Sequence, residues 1–231
     1  MREIPPNPSV AHILTWNPKY EEISDDVIEQ TLVDLKHGST IIRSWSVGRH
    51  KNNFIPGNLV YLLRQGDDRK GIVAQGKLIS PVYKDTFKRN SNRSGNFVDY
   101  QLESIVPIDN RLPFESLQRF PHFSEINWGK HFRESGKTLT GNNAEKLKTL
   151  WDIHLEFPRS ECPSCGDYSV VRIAYGFPSQ DLMDAASLGL AIIGGCVISE
   201  FNPKSACTSC DWIERIDNDE IYDENPLGIE S

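Results

Sequence analysis

The sequence predicts an α+β fold, in which a mainly antiparallel β-barrel with flanking helices precedes a small cysteine-containing module. Short apolar runs separated by turn residues follow one early helical pattern, as is typical of small antiparallel barrels. Gly76 interrupts the longest run and indicates a bulge or bend of the kind that closes a sheet. Two Cys-x-x-Cys pairs mark the module, and 231 residues accommodate a domain of about 150 residues in addition to it.

The first predicted elements are a strand over residues 11–15 and a helix over residues 24–36. Ser24 is a favourable N-cap, and Gly38 follows the end of the helix. One face of this helix carries four apolar residues, which predicts that it packs on a core. These residues are Val27, Ile28, Leu32 and Leu35.

Further strands and a second helix complete the first domain. We expect strands over residues 40–47, 58–64, 71–84 and 97–106, with a hairpin loop at 66–71 and a Ser/Asn-rich basic loop at 83–93. Asn143 is expected to cap a helix that extends to Glu156, with Trp151 in the core and His154 on the helix surface or at the core edge. Pro158 ends this helix. The predicted domains are residues 1–157 and 158–215, followed by an acidic tail at 216–231.

Two tryptophan motifs stand out in the first domain, ILTWNP at residues 13–18 and SWSVG at residues 44–48. Each places a tryptophan where a short apolar run gives way to turn residues, so Trp16 and Trp45 are expected at strand ends. Two such rings can form a pocket that sandwiches a flat ligand. The alternative interpretation is that both are ordinary core tryptophans.

Charge is unevenly distributed along the chain, whose net charge is −7. The segment from Lys36 to Arg93 contains twelve Lys and Arg and three Asp, so its net charge is +9 and that of the rest of the chain is −16. A basic segment that also contains Trp45 favours a nucleic-acid partner. The alternative is that the charges form a solvated surface loop.

These motifs, together with PGN at 56–58, LLRQG at 62–66 and GIVA at 71–74, resemble the EVE domain, a PUA-like fold related to YTH domains. More narrowly, they are similar to EVE domains attached to HNH nucleases in modification-dependent restriction, a subgroup that Asn127-Trp128 and Ser135-Gly136 also fit. The resemblance covers the first domain. It implies a protein that binds double-stranded DNA containing a modified base, such as 5-methylcytosine or 5-hydroxymethylcytosine, and flips that base into an aromatic pocket.

The same resemblance assigns the pocket residue by residue. Trp45 matches the principal pocket aromatic, and Trp16 and Asn17 match the first pocket edge. Ser46 and Gln65 lie in matching motifs beside it. Phe97 stands where relatives often have tyrosine, so this position lacks a hydroxyl group.

Elementary energetics are compatible with base flipping. Extruding a base costs a few kcal/mol, and stacking on an aromatic side chain returns about 1–3 kcal/mol. A carboxylate can accept from the exocyclic amine of cytosine, and Asp99 is the candidate for this contact, although its position also suits a surface residue. Basic residues would hold the flanking phosphates. These are Arg49, Lys51, Lys84, Lys88, Arg89 and Arg93.

The second domain contains CPSC at residues 162–165 and CTSC at residues 207–210. In a reducing compartment, paired Cys-x-x-Cys units predict a closed, structural zinc site with four thiolate ligands, whereas unbound cysteines or disulfides are the alternative. A strand over 170–175, a helix over 181–186 and a strand over 191–199 lie between the pairs. Cys196 falls in the last strand and is expected to be buried and inert, rather than a fifth ligand or a nucleophile. The module resembles a small bacterial zinc ribbon.

No phosphate-binding loop or nuclease motif is recognisable, so we expect a binding protein and not an enzyme. It would serve as the recognition component of a modification-dependent restriction or defence system, with the nuclease on another chain. The alternatives are a metal-dependent nuclease and a zinc-stabilised protein-interaction adaptor. No apolar run approaches the roughly 20 residues that span a bilayer, and no signal-peptide core is apparent. We therefore expect a cytoplasmic protein without a membrane partner.

Overall fold

The computed structural model describes residues 9–19, 23–49, 52–66, 68–87, 90–126, 128 and 134–215, without the side chains of Asn90 and Ser91. The chain divides into two compact units, residues 1–156 and 157–231. Both units combine a sheet with few helices, so the protein is a mixed α+β structure. Among the described residues, every helix is too short or too polar to cross a membrane.

The first unit is built on one eight-stranded sheet, in the order β2-β6-β4-β3-β1-β8, with β5 paired to β6 and β7 to β4. Neighbouring strands are antiparallel except β1 and β3, which run parallel. The strands are β1 (Val10–Trp16), β2 (Ile41–Ser46), β3 (Leu59–Arg64), β4 (Gly71–Leu78), β5 (Tyr83–Phe87), β6 (Asn90–Ile105), β7 (Leu112–Pro113) and β8 (Lys137–Thr140).

This sheet is open, so the predicted β-barrel is wrong. Closure would require hydrogen bonds between the two terminal strands, β2 and β8, and these strands do not pair. The bulge on which the barrel prediction rested is present, since the pairing register of β4 and β6 shifts between Gln75 and Gly76. A Cβ atom at position 76 would lie 2.3 Å from the carbonyl oxygen of Gln101, which explains the glycine. A local bend therefore does not determine whether distant strands meet.

Within the described part of this unit, three α-helices accompany the sheet: α1 (Asp25–Lys36), α2 (Phe114–Arg119) and α3 (Asn142–Glu156). Ser24 caps α1 as expected, because its Oγ accepts from the backbone N–H of Val27 at 3.4 Å. Ile28 is buried and Leu32 and Leu35 pack against the core, but Val27 is 44% exposed and does not belong to the buried face.

The helices α1 and α3 cover opposite faces of the sheet, because successive residues of β3 point to opposite sides. Val60 and Leu62 belong to the core cluster that includes Ile28 of α1. Tyr61, between them, makes an edge contact with Trp151 of α3, with ring centroids 6.3 Å apart. Trp151 lies in the core as predicted. His154 is fully buried 2.7 Å from the carbonyl oxygen of Asn110, so its predicted place at the surface or core edge is wrong.

The basic segment 83–93 is not a loop but the greater part of a β-hairpin. The predicted strand over residues 71–84 is interrupted at Ser80-Pro81 and continues as β5, which pairs with β6. Since β6 begins at Asn90, the polar Ser/Asn-rich stretch adopts strand structure despite its loop-like composition. Cross-strand pairing has overridden local propensity here.

The second unit has a four-stranded sheet centred on β10, which is antiparallel to β9 and β12 and parallel to β11. Its elements are β9 (Ser160–Glu161), β10 (Tyr168–Ala174), α4 (Gln180–Ser187), β11 (Ile192–Ile193) and β12 (Ser205–Cys207). The strand predicted over 191–199 is only two residues long, and Gly194, the residue after it, packs against Tyr175, where a Cβ would lie 2.4 Å from the ring. Cys196, beyond it, is exposed and not buried as predicted.

Candidate functional site

One end of the first sheet gathers side chains from four segments. The parallel pairing of β1 and β3 aligns Trp16 with Arg64, so the carboxyl ends of both strands lie side by side. The backbone N–H of Gln65 donates to the carbonyl oxygen of Trp16 at 2.7 Å and extends this alignment by one residue. We call the group formed by Trp16, Asn17, Trp45, Gln65 and Ser135 the strand-end cluster.

Trp45 joins this end from β2. Its indole Nε1 donates to the carbonyl oxygen of Thr15 at 3.2 Å. Because β8 is antiparallel to β1, the residues before β8 reach the same end, and Ser135 Oγ accepts from the backbone N–H of Thr15 at 3.2 Å. The two tryptophan motifs, far apart in sequence, are therefore directly connected by a hydrogen bond.

Both indoles are largely buried, Trp16 at 1% and Trp45 at 8% relative exposure. The guanidinium carbon of Arg64 lies 5.4 Å from the centroid of the Trp16 ring, and Arg64 Nη1 donates to the carbonyl oxygen of Arg69 at 2.8 Å. A cation on an aromatic face is a favourable electrostatic contact. Arg64 is not among the residues predicted from the sequence, although a charged residue at the end of an apolar strand was a usable signal.

A tight turn fixes the orientation of Asn17. Its Oδ1 accepts from the backbone N–H of Lys19 at 3.0 Å. Gly66 packs against the same side chain, and a Cβ atom there would lie 2.5 Å from Asn17 Oδ1. The φ angle of Gly66 is +102°, a conformation that side-chain-bearing residues rarely adopt. Glycine at position 66 therefore allows the Asn17 amide to sit beside the end of β3.

The remaining predicted pocket residues lie on the opposite face of the sheet. In the pairing of β2 with β6, Trp45 is opposite Val98, whereas Ser46 is opposite Phe97. Since side chains alternate between faces, Ser46, Phe97 and Asp99 share the face that Trp45 does not occupy. The structure thus brings together the strand ends that carry Trp16, Asn17, Trp45 and Gln65. Ser46, Phe97 and Asp99 lie on the face that Trp45 does not occupy.

Asp99 participates in a hydrogen-bonded group on its own face. The hydroxyl of Tyr83 donates to Asp99 Oδ1 at 2.7 Å and lies 2.8 Å from Ser44 Oγ. Burial and the hydrogen bond to Asp99 raise the pKa of Tyr83, which keeps its hydroxyl protonated at neutral pH. The sequence analysis did not identify Tyr83 or Ser44, because their proximity to Asp99 depends on strand register.

The predicted phosphate-binding residues can be placed only in part. Arg49, Lys84 and Arg93 are exposed. Lys84 and Arg93 lie on the β5–β6 hairpin, where the guanidinium carbon of Arg93 is 5.8 Å from the centroid of the Phe87 ring. The other three, Lys51, Lys88 and Arg89, lie outside the described residues.

In the second unit, the four predicted cysteine ligands converge. The sulfur atoms of Cys162 and Cys210 are 3.7 Å apart, and those of Cys165 and Cys207 are 3.8 Å apart. All four sulfurs lie within 4.8 Å of one another. Four thiolates at about 2.3 Å from a tetrahedral zinc ion are separated by about 3.8 Å. The four cysteines therefore form a cluster that could hold a metal ion, and its dimensions match zinc.

Backbone N–H groups point at the cysteine sulfurs in both halves of this cluster. Ser164 N donates to Cys162 Sγ at 3.4 Å. Ser209 N and Cys210 N both donate to Cys207 Sγ at 3.3 Å. Such donors partly neutralise thiolate charge around a metal. Because all four positions are protein ligands, the site suits a structural ion and not a catalytic one.

No protein family model matches the chain, and neither does any curated protein. Among solved structures, a hypothetical protein from Leishmania major is 14% identical with a TM-score of 0.43, over 63% of this chain and 94% of that one. A protein from Pseudomonas syringae is 13% identical with a TM-score of 0.43, over 62% and 99%. Human THYN1, solved in complex with DNA containing 5-methylcytosine, is 13% identical with a TM-score of 0.42, over 63% and 98%. TM-scores at this level do not establish a common fold.

Proposed function

We propose that the protein binds modified cytosine, either 5-methylcytosine or 5-hydroxymethylcytosine, in double-stranded DNA, and that its first domain is EVE-like. The base would be extruded from the duplex into the strand-end cluster. The observation that carries this proposal is the hydrogen bond from Trp45 Nε1 to the Thr15 carbonyl. It unites the two tryptophan motifs and holds one indole in a fixed plane, as base stacking requires.

In this proposal Trp45 supplies the stacking face. Arg64 already lies over the Trp16 ring, so Trp16 is better suited to support the pocket than to stack on the base from that side. Trp45 is 8% exposed, and insertion of a base therefore requires neighbouring side chains to move. Stacking would return about 1–3 kcal/mol of the few kcal/mol that extrusion costs.

The base edge would contact side-chain amides at the strand ends. Asn17 and Gln65 can each donate and accept hydrogen bonds, which suits the mixed polar edge of cytosine. Asp99 lies on the opposite face of the sheet and accepts from Tyr83, so we assign it no contact with the flipped base. Ser46 and Phe97 are assigned to that second face for the same reason.

Phosphate contacts would supply the remaining affinity. We assign these contacts to the basic segment of the first unit: Arg49, Lys51, Lys84, Lys88, Arg89 and Arg93. Residues 158–215 carry four Lys and Arg against seven Asp and Glu, which disfavours a second phosphate-binding surface there. Burying one methyl group is worth about 0.8 kcal/mol, so discrimination against unmodified cytosine would be roughly fourfold.

The second domain would bind one structural zinc ion, with domain boundaries at residues 157/158 and 215/216. We further propose that the chain is the recognition component of a modification-dependent restriction or defence system, and that a separate chain carries the nuclease. A nuclease would convert recognition into cleavage, for which this chain offers no recognisable motif.

The test is binding of duplexes that differ only in one central cytosine, 5-methylcytosine or 5-hydroxymethylcytosine. Wild type is compared with Trp45→Ala, and with Trp151→Phe as a control for the loss of a tryptophan far from the proposed pocket. We expect tighter binding to a modified duplex, lost in Trp45→Ala and retained in Trp151→Phe. Equal binding to all three duplexes by folded wild type would refute the proposal. Cleavage by the purified chain with added Mg²⁺ or Mn²⁺ would instead favour a nuclease.

A further inference from the structure

Beyond the proposed base pocket, the β5–β6 hairpin presents a second surface of a different kind. Tyr83, Phe87 and Phe97 form a row of half-buried rings on the sheet face opposite Trp45. We call these three residues the aromatic platform. We propose that the platform binds single-stranded nucleic acid, with its rings stacking on successive bases.

The pairing of β5 with β6 produces this row. Tyr83 is directly opposite Phe97, and their ring centroids are 6.4 Å apart. Phe87 continues the row, with its ring centroid 5.2 Å from that of Phe97. The rings are thus neighbours along one face and not isolated surface aromatics.

Gly95 allows the Phe87 ring to pack closely on β6. A Cβ atom at this position would be 2.8 Å from two atoms of the Phe87 ring and 3.3 Å from the Phe97 ring. A larger residue would therefore displace Phe87 from its place beside Phe97. The rings are inclined to each other, by 59° between Phe87 and Phe97 and by 30° between Tyr83 and Phe97.

The charge around the platform suits a phosphate backbone. The guanidinium carbon of Arg93 lies 5.8 Å from the centroid of the Phe87 ring, so Arg93 must move off that ring face before a base can stack there. Lys84 is exposed on the same hairpin. Among the described residues of 83–93, Lys84 and Arg93 are basic and Asp85 is acidic. Basic side chains interleaved with aromatic rings are the combination by which proteins bind single strands without sequence preference.

A single strand fits this surface better than a duplex does. In a duplex the base faces are stacked on each other, so rings on the surface of a sheet cannot reach them. In a single strand the base faces are accessible. The polar group at one end of the row, the Tyr83 hydroxyl with Asp99 and Ser44, offers donors and acceptors to a base edge.

The experiment measures binding of fluorescein-labelled oligothymidine and oligouridine, about ten nucleotides long, to the full chain. Phe97→Ala and Phe87→Ala are each expected to weaken binding roughly 5- to 150-fold, the range found for loss of one base-stacking ring. Gly95→Ala tests the same surface without removing a ring, and is expected to weaken binding by displacing Phe87. Circular dichroism and thermal melting establish that each variant is folded.

Phe177→Ala is the matched control, since it removes a 94% exposed aromatic residue that belongs to the second unit. It is expected to leave oligonucleotide binding unchanged, whereas the platform variants keep any preference for modified duplex. Failure of this inference is thus distinguishable from failure of the proposed base pocket. Oligonucleotide binding that is absent, or unaffected by all three platform variants, overturns the inference. Equal competition by polyglutamate at matched ionic strength would also overturn it, since it would mean that charge alone accounts for binding.

Discussion

Trp45 donates its indole N–H to the carbonyl oxygen of Thr15, and the 3.2 Å hydrogen bond ties the end of β2 to the end of β1. These strands are not neighbours, because β6, β4 and β3 lie between them in the sheet. Because neighbouring strands lie about 4.8 Å apart, the sheet must curl so that the ends of β2 and β1 approach each other on its core face, and the bond fixes the plane of the indole. A side chain held in this way is preorganised, which lowers the entropic cost of stacking a ligand on it.

Trp45→Phe separates the role of this hydrogen bond from that of the ring. Phenylalanine keeps an aromatic face but leaves the Thr15 carbonyl without its donor. We expect the free energy of unfolding to fall by about 1–2 kcal/mol, while any preference for modified DNA is weakened but not abolished. Urea denaturation and duplex binding measure the two effects. Unchanged stability would mean that the hydrogen bond contributes nothing.

His12 is predicted to make stability depend on pH. It is fully buried and stacks on Phe54, with ring centroids 4.2 Å apart. Its Nδ1 lies 3.0 Å from Thr138 Oγ1, and its Nε2 lies 3.3 Å from Asn58 Nδ2, an arrangement that suits a neutral ring. Burial lowers the pKa of His12 from 6.5 to about 4.

Because the folded pKa is below the unfolded one, protons bind preferentially to the unfolded chain. The contribution of neutral His12 is complete above pH 6.5 and is lost as the pH falls to about 4. The shift corresponds to about 3 kcal/mol. Between pH 6.5 and 4, we expect the free energy of unfolding of wild type to fall by about this amount more than that of His12→Gln, which lacks the titrating group. A parallel pH dependence of the two proteins would contradict the assignment.

Gly66→Ala tests the contact between the turn and Asn17. The new Cβ would lie 2.5 Å from Asn17 Oδ1, in addition to the strain of a φ angle of +102°. Gly38 also has a positive φ angle, +78°, but a Cβ there meets nothing within 4 Å. Gly38→Ala is therefore expected to lower the free energy of unfolding by about 1–2 kcal/mol, from backbone strain alone. Gly66→Ala should lower the free energy of unfolding by more than this and should also weaken binding to the modified duplex. Equal effects of the two substitutions would contradict the contact between Gly66 and Asn17.

Zinc is expected at one ion per chain, and Cys165→Ser and Cys196→Ser form a matched pair to test its site. Cys165 belongs to the four-sulfur cluster, whereas Cys196 is an exposed thiol of the same unit outside that cluster. Elemental analysis should find that the zinc content per chain is unchanged in Cys196→Ser and reduced in Cys165→Ser. Chelation is expected to unfold the second unit, because its four ligands come from distant segments. Equal zinc content in both variants would exclude this ligand set.

Local signals in the sequence predicted α1 and the body of α3, but not α2. Asn143 does not cap α3 as predicted, because that helix already begins at Asn142. Ser24 and Gly38 bracket α1, and Trp151 follows the apolar spacing of α3. The four cysteines were predictable because thiol spacing reports metal chemistry directly. The period of a strand also contained information that the sequence analysis did not use: Trp45 and Ser46 are consecutive in β2, so their side chains point to opposite faces.

Non-local pairing could not be predicted in the same way. β1 and β3 are aligned in parallel, but α1 and β2 lie between them in the chain. Nothing in the sequence of either strand specifies its partner. Register decides that Tyr83 meets Asp99 and that Phe87 lies beside Phe97. The open sheet has the same origin, since a bulge at Gly76 bends one strand without specifying whether β2 and β8 meet.

The most direct test of the central claim is extrusion of the base itself. 2-Aminopurine placed next to a central 5-methylcytosine brightens when its neighbour leaves the stack. We predict that saturating wild-type protein increases its fluorescence, and that Trp45→Ala, at a concentration that still saturates the duplex, does not. A duplex bound by wild type without any increase in fluorescence would contradict base flipping at the strand-end cluster.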